Sequence, residues 1–129
     1  MYVRFVLHEI DEDSQTQKGM FVAVNELIDD DYFEDYELEA IGELLSWFND
    51  HLDEPLRLRR SKKYHTVNKA ISWFKPGANV HIAKGQQLVT LMKQKDLHVE
   101  MIKTTNPGYI VYEDAFQIVA EPFAETFNH

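Results

Sequence analysis

Between residues 38 and 52, Leu38, Ile41, Leu45, Phe48 and Leu52 recur at alternating spacings of three and four, with Leu44 beside them. Side chains three and four apart share one face of an α-helix, so this stretch predicts an amphipathic helix over about 36–52. Such a helix must bury its apolar stripe against a second layer, which excludes an extended or fibrous chain. Asp35 stands where an N-cap belongs, and Pro55 lies just beyond the far end. The polar face carries Glu37, Glu39, Glu43 and Asp50.

The partner layer is read from the remaining periodicities. Residues 2–8, rich in β-branched and aromatic types, predict a first strand, and 9–19 a polar connection. Met20, Val24, Leu27 and Ile28 recur at a helical period and favour a short helix, though the Val content also permits a strand; Asp29-Asp30-Asp31 end the element. Residues 70–74 predict a buried strand closed by Lys75-Pro76-Gly77. A further helix over about 78–95 sets Ala78, Ile82, Gly85, Val89 and Met92 on one face, with Leu88 and Leu91 beside it. Gly85 costs that helix about 1 kcal/mol of propensity against Ala, so close packing on the sheet is expected there. Strands over 98–103, 109–112 and 116–120 follow. Pro107-Gly108 suits a type II turn, and Glu113-Asp114-Ala115 joins a hairpin. The expected fold is α+β: a single domain, 1–129, of order β-α-α-β-α-β-β-β, with a mostly antiparallel sheet and helices packed on one face.

Composition narrows the chemistry. Eight Phe, six Tyr and an apolar content of 44% supply a core without staples. The absence of cysteine excludes disulfides, thiolate metal sites and cysteine nucleophiles. No basic segment leads into an apolar run at the start, and no apolar stretch nears the length of a membrane span, so a cytoplasmic location is expected, with no membrane partner. The net charge of −9 is unevenly divided. Residues 1–56 set Arg4 and Lys18 against sixteen carboxylates; residues 57–103 set eleven Lys and Arg against Asp96 and Glu100; residues 104–129 carry four carboxylates and no Lys or Arg. Such partition points to an interaction face or to internal charge pairing.

Several segments are similar to those of a group of short bacterial proteins of unassigned function. They are Ala70-Ile71-Ser72-Trp73-Phe74-Lys75, the stretch from Pro107-Gly108-Tyr109 to Glu113-Asp114, Gln117-Ile118-Val119-Ala120-Glu121-Pro122-Phe123, and the opening Phe5-Val6-Leu7-His8-Glu9-Ile10-Asp11. The resemblance implies a bacterial or bacteriophage setting and a compact domain. It implies no catalytic residues.

Arg57, Arg59, Arg60, Lys62 and Lys63 place five cations in seven residues, a candidate anion-binding patch that Lys69, Lys75 and Lys84 would widen, with His81 as a further candidate. Its bland alternative is a solvated loop, or a basic segment docked against the protein's own acidic helix. Asp29, Asp30, Asp31, Glu34 and Asp35, interleaved with Tyr32, Phe33 and Tyr36, form a candidate acidic interaction face or a charged linker. The six histidines show no His-x-His or His-Glu-x-x-His spacing, and Asp11-Glu12-Asp13 does not match a calcium loop, so no metal and no cofactor are expected. Adjacent Glu113 and Asp114 point apart, which disfavours an acid/base pair. His81, Lys75 and Trp73, where a strand leads into a helix, make the best cleft-like grouping.

Three functions follow. The first is a non-enzymatic binding domain whose basic patch, 57–75, meets an anionic partner such as nucleic acid or protein. The second is an acidic inhibitor or immunity-type protein that contacts a basic partner through 29–54. The third is a small enzyme acting on an anionic substrate with His81, Lys75 and Arg60.

Overall fold

Its β-branched and aromatic residues make β1 (Tyr2–Ile10) a strand with apolar side chains on both faces, and the sheet is organised around it. In a computed structural model of the protein, described for residues 1–10, 17–52 and 71–122, β1 pairs antiparallel with β4 (Glu100–Thr104) along one edge. Along its other edge it meets β3 (Ile71–Phe74) at Val3↔Phe74 and β2 (Gln17–Gly19) at Val6↔Gly19. The sheet continues from β3 to β6 (Gln117–Glu121) and then to β5 (Tyr109–Glu113), all antiparallel. The element order expected from the sequence is present, with β2 added. Gln17-Lys18-Gly19 has no strand propensity of its own; pairing with the free end of β1 makes it one, and Arg4 Nη2 donates to the Gln17 carbonyl at 3.0 Å.

Among the described residues three helices cover one face. They are α1 (Met20–Asp29), α2 (Asp35–His51) and α3 (Asn79–Lys93). Val3 and Phe5 of β1 and Phe74 of β3 meet Met20 and Val24, Ile41, Leu44 and Phe48, and Leu88 and Met92 in one core. Each large apolar side chain buried there is worth about 1.5–3 kcal/mol. The N-cap of α2 is Glu34 rather than Asp35: a capping box forms, with Glu37 Oε1 accepting from the Glu34 N–H at 2.8 Å. In α3 Gly85 and Met92 of the expected face are buried, whereas Ile82 and Val89 are only half-buried and His81 and Leu88 complete the buried stripe instead. The Phe5 ring lies against Gly85, the close packing on the sheet expected at that glycine.

The other face of the sheet carries a second buried cluster of Ile71, Trp73, Ile118 and Ala120, with Tyr2 and Ile102 packed against it. The expected hairpin joins β5 to β6, and Asp114 closes it. Its Oδ1 accepts from the Phe116 and Gln117 N–H groups at 2.9 and 3.0 Å, and its Oδ2 from the Tyr112 hydroxyl and the Gln117 amide. In the connection before β5, Gly108 has φ of 121°, a conformation that favours glycine, and stands directly against the Glu121 backbone. No described helix is long and apolar enough to cross a membrane.

Candidate functional site

The connection between α1 and α2 is fixed at both ends. The N–H groups of Asp30, Asp31 and Tyr32 return to the carbonyls of Glu26, Ile28 and Leu27 at 3.0–3.1 Å. Phe33 then enters the core and anchors the chain before α2 begins. Asp31 takes φ of 55°, a left-handed turn that aspartate tolerates better than most residues. The Tyr32 hydroxyl donates to the Lys95 carbonyl at 3.1 Å, and Lys95 Nζ lies 5.1 Å from the centre of the Tyr32 ring. Lys95 also pairs with Glu37 at 3.2 Å. The Glu34 N–H, and then Lys95, hold the Glu37 carboxyl below its ordinary range against the opposing effect of burial, and Glu37 in turn raises Lys95.

With Phe33 inward, the polar side chains of this segment face solvent. Asp29, Asp30, Asp31, Glu34 and Asp35, together with Glu39, Glu43 and Asp50 on α2, are exposed. None of the eight forms an ion pair with a described residue. Tyr36, 74% exposed, stands among them. The five acidic candidates thus lie along one rigid connection and helix start, continuous with the outward face of α2.

The basic candidates are not brought together in the same way. Arg57, Arg59, Arg60, Lys62, Lys63 and Lys69 lie outside the described residues, as do Asp11, Glu12 and Asp13. Lys75 is paired with Glu113 on β5. His81 is buried, and its Nε2 donates to the His51 carbonyl at 2.9 Å, which satisfies an orphan carbonyl at the end of α2. Its ring stacks on Phe116 at 4.3 Å and meets Trp47 edge-on at 4.9 Å. His51 stacks on Trp47 at 4.3 Å and donates from Nδ1 to the Trp47 carbonyl at 2.8 Å.

Trp73 does not join this group. It and Phe74 are neighbours on a strand, so their side chains leave on opposite faces; Phe74 meets the helices and Trp73 the second cluster. The grouping of Trp73, Lys75 and His81 expected from the sequence is therefore divided between two faces of the sheet. Glu113 goes to Lys75 while Asp114 goes to its own turn, so neither is set to share a proton with the other.

One constellation has no signature in the sequence. The β1–β4 register pairs Val6 with Glu100, and continuing it two residues sets His98 opposite His8. These three side chains lie on the face away from the helices, the same side as Tyr2 and Ile102. Glu100 Oε1 is 3.2 Å from His8 Nε2 and 3.7 Å from His98 Nε2. The alternation in His98-Val99-Glu100 is visible in the sequence; its alignment with His8 is not.

Comparison with known proteins adds no relative. No family model, curated protein or solved structure matches the chain.

Proposed function

We propose that this protein is a non-enzymatic interaction domain that binds a basic protein partner through the acidic surface of the α1–α2 connection and α2. The observation that carries this reading is the run of eight exposed carboxylates, from Asp29 to Asp50, that has no ion pair among the described residues. Carboxylates held close together repel one another, and a cationic partner relieves that repulsion while the field steers its approach. Tyr36 and Tyr32 supply aromatic contact area within the charged surface. The Phe33 anchor and the capping box hold that surface in one shape before a partner arrives, which lowers the entropic cost of binding.

An anion-binding face centred on Lys75 and His81 has less support. Lys75 is already neutralised by Glu113, and His81 is committed to the interior.

The test is a pull-down with the full chain and with the Asp29→Lys, Asp30→Lys, Asp31→Lys, Glu34→Lys quadruple variant. A salt-sensitive complex with a basic protein, lost in the variant, is expected. Recovery of the same complex by both proteins would reject the acidic surface as the contact.

A further inference from the structure

We propose that His8, His98 and Glu100 form a binding site for a divalent transition-metal ion of the zinc class. Their donor atoms, two imidazole nitrogens and a carboxylate oxygen, all lie within 4.8 Å of one another. Ligand atoms about 2.0–2.2 Å from a tetrahedral zinc ion stand roughly 3.3–3.6 Å apart. The Glu100 contacts of 3.2 Å to His8 and 3.7 Å to His98 bracket that spacing. Both histidines are exposed, so their side chains can turn toward a shared ion.

The fold itself supplies the convergence. Glu100 is held in the β1–β4 ladder, and Val99, buried beside it, fixes the direction in which His98 and Glu100 leave the chain. The two imidazole rings are nearly parallel, with centroids 5.4 Å apart, and both present Nε2 to one carboxylate oxygen. As an ion pair at the surface the arrangement contributes little to stability. As a ligand set it is matched to a borderline ion: imidazole with carboxylate suits zinc, nickel or copper, whereas magnesium and calcium take oxygen ligands. Three protein ligands leave a fourth position for water or for a donor from another molecule. This site is independent of the acidic surface, since it lies on the sheet face away from α1 and α2.

The experiment uses the full chain, dialysed against EDTA and titrated with zinc chloride in a calorimeter. One equivalent is expected to bind, with no matching signal from magnesium chloride. His8→Ala, His98→Ala and Glu100→Gln should each weaken zinc binding by at least about tenfold, because loss of even an outer hydrogen-bond partner costs about 10–100-fold. His129→Ala should bind as the parent does. In a separate measurement that needs no variant, the ring resonances of His8 and His98 should move together on zinc addition and return with EDTA. Absence of a one-equivalent step, a step that persists in the His8→Ala/His98→Ala double variant, or ring shifts confined to other histidines would overturn the proposal. Equal binding of magnesium at these residues would overturn the choice of metal class.

Discussion

Phe5 occupies the space that a side chain at position 85 would need: a Cβ on Gly85 would stand 2.5 Å from the Phe5 ring carbon Cε2. The contact joins the central strand to α3 without an intervening side chain, and it fixes which face of that helix is buried. Gly85→Ala improves helix propensity by about 1 kcal/mol, yet it overpacks the core by about 1–3 kcal/mol. Net destabilisation is expected in urea unfolding. A variant at least as stable as the parent would mean that the Phe5 ring can move aside.

Asp114 is held below its ordinary carboxylate range. Burial opposes this, but donors from Phe116, Gln117 and Tyr112 outweigh it. A depressed folded value means that the unfolded chain binds more protons in this region. The contribution of Asp114 is therefore present above its ordinary value of 3.8 and is lost as pH falls through the folded value. Glu37 acts with the same sign, below its ordinary 4.5. Stability measured against pH should hold down to about pH 5 and decline below it. Asp114→Ala should cost about 1–3 kcal/mol at neutral pH and flatten that acid limb.

His81 is a packing residue that also caps a neighbouring helix. His81→Ala removes a ring stacked on Phe116 and leaves the His51 carbonyl without its donor. The expected loss is about 2–4 kcal/mol in chemical denaturation. His81→Phe should recover the packing but not the hydrogen bond, and fall between the two.

Trp73 carries a buried indole N–H with no partner among the described residues. A donor in that position is unfavourable, so removing it offsets the lost ring area. Trp73→Phe is expected to change stability by less than about 1 kcal/mol, well short of the usual cost of truncating a core tryptophan. A loss of several kcal/mol would show that the indole N–H is satisfied in solution.

The stripe from Leu38 to Leu52, the strand at residues 2–8, the hairpin around Asp114 and the packed glycine of α3 were all legible in the sequence. Each is a local pattern, set by a side-chain period, by turn chemistry or by a propensity conflict that only tertiary packing resolves. The acidic surface was legible for the same reason, since its charges are consecutive or share a helix face. The N-cap at Glu34 was missed by one residue because Glu34 and Asp35 are both acidic, and the reciprocal bond with Glu37 decides between them.

The sequence by itself determined most of the element types, β2 excepted, together with the charge partition and the face that α2 buries. Only the tertiary structure decided which distant residues meet. Strand alternation sends Trp73 and Phe74 to opposite layers, and so separates Trp73 from His81. Antiparallel register brings His8 to His98 and Glu100 across some ninety residues of chain. Register is settled by the burial of whole sheet faces, since a slip of one residue would turn Val3 and Phe5 out of the core. That is a property of the assembled sheet, and no single segment contains it.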